Sequence, residues 1–208
     1  MLRVGTDRVA VEARLRAGTL GCPGCGERLA PWGYARERTV RHRDGRVEVL
    51  RPRRGRCGSC RGTHVLLPVS CLLRRADGVG VIGAALAGKA AGAGHRRIAA
   101  WLGRAASTVR GWLRRFASRA VEICSVFTVL LGELDRLAGP APPSGTVLGD
   151  AVDAVRRAAA AARRRRGATG VGGWSPWQLA SAVTAGRLLA RTGAGESINT
   201  SWLWAGPG

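Results

Sequence analysis

The sequence predicts a mainly α-helical protein with a small β-rich region near its N-terminus. Two observations support this prediction: two cysteine pairs frame strand-like residues early in the chain, and the later segments show helical periodicity. Hydrophobic residues make up 46% of the 208 residues, so the chain can bury a core. Because there are only two phenylalanines, one tyrosine and one methionine, we expect a helical core built largely from small side chains.

The charge balance is strongly basic and predicts a polyanionic partner. The chain has 34 lysine and arginine residues against 13 acidic ones, a formal net charge of +21, and Lys89 is the only lysine. The arginine guanidinium fits phosphate oxygens and guanine edges, so nucleic acid is the partner that this composition favours. A GC-rich genome explains arginine in place of lysine, but it does not explain so large an excess of positive charge.

Four cysteines form two pairs with the spacing of metal ligands. Two CxxC knuckles are separated by 31 residues, at Cys22/Cys25 and Cys57/Cys60. Four thiolates hold Zn²⁺ tetrahedrally in closed structural sites, and the two intervening residues let one tight turn aim both sulfurs at one ion. The pattern therefore predicts one structural zinc ion. A redox role is less favoured, because no βαβ pattern accompanies the pairs.

The residues between the knuckles predict a β-hairpin. Asp44-Gly45 is a two-residue turn signal, and strand-like residues flank it at 38–43 and 46–50. We expect this hairpin to bring the knuckles together, which is the layout of a zinc ribbon. Its basic residues are Arg36, Arg38, Arg41, Arg43, Arg46, Arg51, Arg53, Arg54 and Arg56.

The cysteine and histidine residues outside this pattern have simpler explanations. His64 lies four residues after Cys60 and is an alternative ligand, although such a histidine is more often a surface or packing residue. Cys71 and Cys124 are expected to be buried small hydrophobic side chains.

Residues 94–116 have the pattern of two helices joined by a tight turn, a helix-turn-helix. Ile98 and Leu102 lie one turn apart on the first helix, where the small Ala99 lets a second helix approach. Gly103 lies at the turn, where a positive φ is favoured. Ser107 is the expected N-cap of the second helix. The apolar stripe of that helix is Val109, Trp112, Leu113 and Phe116.

The second helix of this pair is the predicted recognition helix. We place Thr108, Arg110, Gly111 and Arg114 in or over the DNA major groove. Arginines on the first helix and at the turn are better placed for phosphates. The complete predicted DNA-binding set is Arg96, Arg97, Arg104, Ser107, Thr108, Arg110, Gly111, Arg114 and Arg115. A merely solvated helix face is the alternative for these arginines.

Further helices are predicted on both sides of this pair. They are Val9–Ala17, Val79–Ala91, Val121–Leu137, Thr146–Arg166, and one that begins at the Ser175 N-cap and Pro176 and runs to about Leu189. The apolar helix 121–137 either covers the trihelical core or forms a dimer contact. The four arginines at 163–166 are either a phosphate contact or a solvated helix end.

The predicted domain organisation follows from these elements. It comprises a zinc ribbon at 20–70, a helix-turn-helix domain at 77–138, a Pro/Gly-rich linker at 139–145, a C-terminal helical region at 146–191 and a flexible tail at 192–208. No N-terminal signal pattern or apolar run of about 20 residues is present, so we expect a cytoplasmic, nucleoid-associated protein without a membrane partner.

The two CxxC knuckles together with the helix-turn-helix at 96–116 resemble an uncharacterised actinobacterial family of zinc-ribbon/helix-turn-helix proteins. The resemblance extends from about Leu20 to the Ser175-Pro-Trp segment and the Ile198-Asn-Thr-Ser tail. Such proteins are similar to the N-terminal DNA-binding part of insertion-sequence transposases. The resemblance implies binding to the ends of a mobile element or to a promoter, with a transposase or a second copy of the chain as candidate protein partners.

The sequence favours binding over catalysis. A transposase active site needs three carboxylates on an alternating β/α framework, and the acidic residues here lie in helical or loop contexts. Neither a P-loop nor a GxSxG motif is present. We therefore expect a zinc-stabilised, sequence-specific binder of double-stranded DNA that is not an enzyme. The alternatives are a transcriptional regulator, a catalytic recombinase subunit, and an RNA-binding or protein-docking zinc ribbon.

Overall fold

The computed structural model describes residues 1–167 and 170–190, in which a β-rich N-terminal part precedes a helical part. The strands are β1 (Leu2–Val4), β2 (Leu29–Tyr34), β3 (Arg38–Arg41), β4 (Val47–Leu50), β5 (Arg53–Cys57) and β6 (Thr63–Pro68). The helices are α1 (Arg8–Arg16), α2 (Val79–Ala90), α3 (His95–Leu102), α4 (Ala106–Ala117), α5 (Ala120–Leu134), α6 (Val147–Arg166) and α7 (Pro176–Val183), with a short 3-10 helix at Gly170–Gly173. The predicted 192–208 tail lies outside the described residues.

A four-stranded sheet with the order β1-β6-β5-β2 forms the N-terminal part, and α1 packs on one of its faces. Strand β1 pairs with β6 in parallel, whereas the other two pairings are antiparallel. Asp7 caps α1 by accepting from the backbone N–H groups of Val9 and Ala10. The helix buries Leu15 against Leu29 and Leu66, so α1 covers this face of the sheet.

Strands β3 and β4 form the predicted hairpin, with Gly45 at a φ of 80° in its turn. The hairpin buries Val40 and Leu50 against Leu67. Leu66 contacts the α1 side and Leu67 the hairpin side, and successive strand residues point to opposite faces. The hairpin and α1 therefore cover opposite faces of the four-stranded sheet.

The expectation that this hairpin brings the two knuckles together is wrong. The hairpin is a separate two-stranded sheet. The knuckles meet because β2 and β5 pair directly, with Leu29 opposite Cys57. The long insertion between the knuckles thus contains a second layer that packs on the sheet.

One hydrophobic core runs through α2 to α7. Apolar α5 contributes fully buried Ile123 and Phe127 to it, so its inner face is core rather than a free dimer contact. The linker at 139–145 connects α5 to α6, whose Ala158 and Val155 are buried in the same core. The C-terminal helices therefore complete the core of the α2–α4 segment.

Helix α7 begins where the sequence predicts but ends earlier than predicted. Ser175 forms a capping box with Gln178, as expected for its N-cap role. Helix α7 nevertheless ends at Val183 and does not continue to Leu189. Ala185 and Gly186 have φ values of 50° and 79°, which reverse the chain direction after the helix.

None of the helices in residues 1–167 and 170–190 combines the length and apolar character needed to cross a bilayer.

Candidate metal centre and basic helical face

The four predicted cysteines lie together at one end of the four-stranded sheet. Their sulfurs all lie within 4.8 Å of one another. The Sγ atoms of Cys22 and Cys60 are 3.6 Å apart, and those of Cys25 and Cys57 are 3.4 Å apart. Zn–S bonds of about 2.3 Å at tetrahedral angles put sulfurs about 3.8 Å apart, so the cluster is compatible with a metal ion in a zinc ribbon.

Backbone N–H groups of the first knuckle stabilise a thiolate. The Gly24 N–H lies 3.4 Å from the Cys22 Sγ, and its hydrogen bond lowers the pKa of the Cys22 thiol from 9.0 to about 6. The pKa of the Cys60 thiol shifts in the opposite direction. The Gly62 N–H favours its thiolate, but hydrogen bonds with the other three cysteines raise its pKa to about 11. Cys22 is therefore the first of these two thiols to lose its proton.

His64 lies beside the four sulfurs rather than among them. Its Nε2 atom is 3.3 Å from the Cys22 Sγ, within hydrogen-bond distance for sulfur. The four cysteines already supply the tetrahedral set. With its proton on Nε2, His64 would donate to the Cys22 thiolate and help to orient it. Of the remaining cysteines, Cys71 is buried as expected, and Cys124 is partly buried.

Helices α3 and α4 meet at the turn of residues 103–105. Gly103 adopts the left-handed conformation, with a φ of 61°, as the sequence predicts. Ile98 and Ala99 of α3 are buried against the core. The predicted apolar stripe of α4 is buried as well, at Val109, Trp112, Leu113 and Phe116.

The opposite face of this helix pair carries most of the predicted contact residues. Arg96, Arg97, Ser107, Arg110 and Arg114 are exposed. The partly buried members are Thr108, Gly111 and Arg115.

The start of α4 differs from the expectation. The helix begins at Ala106 with Ala105 as its N-cap, so Ser107 lies in the first turn and does not cap it. The left-handed Gly103 reverses the chain early and lets the helix begin before the serine. Gly111 lies beneath Arg115, whose Nη1 would be 3.3 Å from an added Cβ. Because Gly111 has no side chain, the Arg115 guanidinium can lie over the helix backbone at this position.

Arg104 is not a free phosphate ligand, contrary to its predicted role. Its Nε donates to the Asp77 Oδ1 over 2.6 Å, and its side chain is 17% exposed. Its Nη1 also donates to the carbonyl oxygens of Leu102 and Gly103. A guanidinium with these partners holds the α3–α4 turn against the start of α2.

Sequence reasoning missed Asp77 as a structural residue. This buried carboxylate, 4% exposed, also accepts from Arg41 of β3. A signal was present, because Asp77 is the only acidic residue between Glu48 and Glu122. A lone carboxylate among many arginines is the position at which an ion pair is expected.

The local charge of the α2–α4 segment is uniformly positive. Between Asp77 and Glu122 the chain contains seven arginines and Lys89 and no acidic residue. Because the buried Asp77 is paired with Arg41 and Arg104, its charge does not offset the exposed guanidiniums of α3 and α4. This face therefore presents a positive potential to solvent.

Other arginines singled out by the sequence are engaged within the protein. Arg38 donates to the carbonyl oxygens of Leu72 and Arg75, and Arg53 pairs with Glu12 at 2.7 Å. At the end of α6, Arg164 pairs with Asp135 at 2.8 Å. These contacts favour a structural over a phosphate-binding role for those side chains.

Three exposed aromatic side chains were not given a role from the sequence. Trp101 of α3 is 56% exposed and lies under the Arg43 guanidinium, 4.9 Å from ring centroid to Cζ. Trp32 and Tyr34 of β2 are similarly covered by arginines. Cation–π contacts of this kind fix the rings and the guanidiniums against each other.

Comparison with known proteins adds one match. A family profile described as a domain of unknown function (DUF6431) matches residues 22–112. The matched segment begins at the first metal-site cysteine and ends within α4, so it contains the cysteine cluster, the hairpin and the α3–α4 turn. Neither the curated proteins nor the solved structures gave a match to the chain.

Proposed function

We propose that this chain is a zinc-stabilised, sequence-specific DNA-binding protein in which α3 and α4 form a helix-turn-helix. The observation that carries the proposal is the arginine-bearing face of α4 on a helix pair with a tight left-handed turn. Small Ala99 and buried Val109 allow the close helix contact that such a motif needs. Helix α4 is the recognition helix, since Ser107 and Arg110 are exposed in its first turns, next to the α3–α4 turn.

Specific residues on α4 account for base recognition. Arg110 and Arg114 are one helical turn apart and both exposed, so they project from the same side of the helix. A guanidinium donates to guanine O6 and N7 together, which is the commonest base-specific contact in the major groove. Arg96 and Arg97 of α3 contact phosphates and set the orientation of the helix pair.

The role of the metal is structural. Four thiolates form a closed tetrahedral set, and Zn²⁺ is the ion that this donor set favours. The bound ion links the knuckle before β2 to the knuckle that follows β5, and so fixes the sheet on which the hairpin packs. Zinc thereby supports the N-terminal part without contacting DNA.

The protein acts by binding and not by catalysis. Carboxylates near the helical core are used in ion pairs: Asp77 with Arg104, Glu122 with Arg119, and Asp135 with Arg164. The resemblance to transposase DNA-binding regions favours recognition of mobile-element ends, with promoter binding as the alternative. The same resemblance implies a transposase or a second copy of the chain as the candidate protein partner.

Selection from a random duplex pool tests this function. Zinc-loaded protein is incubated with the pool at about physiological salt, where nonspecific phosphate binding is weakened. We expect one short motif to be enriched, and its match to inverted repeats or to promoters would choose between the two roles. Salt-sensitive binding without an enriched motif would contradict sequence recognition, and preferential binding of RNA would favour the RNA-binding alternative.

A further inference from the structure

The β3–β4 hairpin is fixed to the α3–α4 turn through one carboxylate. Asp77 Oδ2 accepts from Arg41 Nη2 at 2.9 Å, and Asp77 Oδ1 accepts from Arg104 Nε at 2.6 Å. Each oxygen thus binds a guanidinium from a different element. Backbone hydrogen bonds add to this link: the Arg41 N–H donates to the Ala76 carbonyl oxygen, and the Gly78 N–H donates to that of Arg41.

A second contact joins the tip of the hairpin to α3. The Arg43 guanidinium stacks over Trp101, which lies in the last turn of α3. Helix α4 begins at Ala106, directly after the turn, so this stack places the hairpin tip beside the N-terminal end of α4. In a helix-turn-helix that end of the second helix faces the bases.

The hairpin tip is positively charged and exposed. Residues 42–46 contain Arg43, Arg46 and one aspartate, whereas Arg41 pairs with Asp77. Arg46 is 60% exposed and lies 3.8 Å from both Asp44 and Glu48. Exposed pairs at this distance are weak and are exchanged readily for a stronger anion. Arg43 is exposed, and its guanidinium Cζ lies over the Trp101 ring.

We propose that the β3–β4 hairpin contacts the sugar-phosphate backbone of the same duplex that α4 recognises, just beyond the N-terminal end of α4. This inference rests on the proposed function. Asp77 and the Arg43–Trp101 stack hold the hairpin in place before binding, so the duplex meets a preformed surface with two elements. Arg43 and Arg46 supply the phosphate contacts, and α4 supplies the sequence preference.

The salt dependence of duplex binding tests the hairpin contact. The zinc-loaded full chain is compared with R43A/R46A on one duplex over a range of salt concentrations. Each lost phosphate contact lowers the slope of log K against log [salt] by about 0.9, so we expect the slope to fall by about 1–2. Hydroxyl-radical footprinting of the same complex should lose protection at one end of the site.

Two control variants make the result specific. R8A/R14A removes two exposed arginines from α1, on the sheet face opposite the hairpin, and should leave the slope unchanged. R43K/R46K keeps the charges and should restore most of the slope even if the alanine variant is less stable. An unchanged slope and footprint for R43A/R46A would overturn the hairpin contact.

The measurements separate a wrong hairpin contact from a wrong proposed function, because the two give different results. If R43A/R46A binds like the parent while R110A/R114A loses sequence preference, the hairpin inference is wrong and the helix-turn-helix proposal stands. If the parent shows no sequence preference but R43A/R46A still lowers the slope and shortens the footprint, the hairpin contact stands and the proposed sequence recognition is wrong. If the parent protein does not bind duplex DNA, both are overturned.

Discussion

Replacing Asp77 by asparagine should destabilise the protein more than any exposed charge change. The carboxylate is 4% exposed and bonds to two guanidiniums at 2.6 and 2.9 Å. An asparagine keeps one acceptor oxygen, but its amide group then faces a second N–H donor. Arg104 would keep its charge in a largely buried position without a carboxylate partner.

The size of the effect follows from the exposure of the two arginines. Breaking a buried ion pair by removing one partner costs about 3–5 kcal/mol, and the 17% exposed Arg104 side chain is close to that case. The Arg41 side chain is 47% exposed, so its pair contributes at most about 1 kcal/mol. We expect D77N to lower the free energy of unfolding by about 3 kcal/mol and R41A by about 0.5 kcal/mol.

Urea unfolding of the zinc-loaded protein, followed by tryptophan fluorescence, measures these changes. D153N is the matched control, because Asp153 is 43% exposed and lies 3.9 Å from Arg156; we expect its effect to stay within about 0.5 kcal/mol. In a double-mutant cycle, D77A and R104A should couple by more than about 1 kcal/mol. A loss below about 1 kcal/mol for D77N, or additive effects in the cycle, would refute this role of Asp77.

Two further predictions concern the metal site and the helical core. The pKa of the Cys22 thiol is lowered in the fold, so its thiolate persists as the pH falls from 9.0 to about 6 and is protonated below that. Below about pH 6, Zn²⁺ binding must therefore displace one more proton. The slope of log apparent Zn²⁺ affinity against pH, measured by chelator competition, should become steeper there by about one unit per pH unit. An unchanged slope would argue against the thiolate. An added Cβ on Gly83 would overlap the Trp177 ring, so G83A should lower the thermal midpoint, at a cost of about 1–3 kcal/mol. G80A lies in open space on the same helix and should be neutral or stabilising. Similar midpoints for the two variants would contradict the close α2–α7 contact.

The sequence predicts those features whose conformation is set by residues close together in the chain. The CxxC knuckles, the Asp44-Gly45 turn and the left-handed Gly103 each act within a few residues of chain, and all lie where the sequence places them. The helices α1 and α2 likewise agree with their predicted ranges to within one residue at each end.

Long-range contacts account for what the sequence did not predict. Strand β1 pairs with β6 across more than sixty residues, and no local pattern marks that pairing. Arg104 lies at the turn, where the sequence predicts a phosphate contact, but its carboxylate partner Asp77 lies 27 residues earlier in the chain. The choice between a free and a paired arginine depends on tertiary packing, which composition does not reveal.

The sequence specificity of an α4 variant on the selected duplex tests base recognition by this helix. Affinities of R110A/R114A and of the matched control R8A/R14A are measured on the enriched sequence and on a random duplex at one salt concentration. We expect R110A/R114A to weaken binding to the enriched sequence by about 1–3 kcal/mol per arginine and to change random binding little, while the control keeps the parent's ratio. Equal losses on both duplexes would show that α4 contacts phosphates only, and would contradict base recognition by this helix.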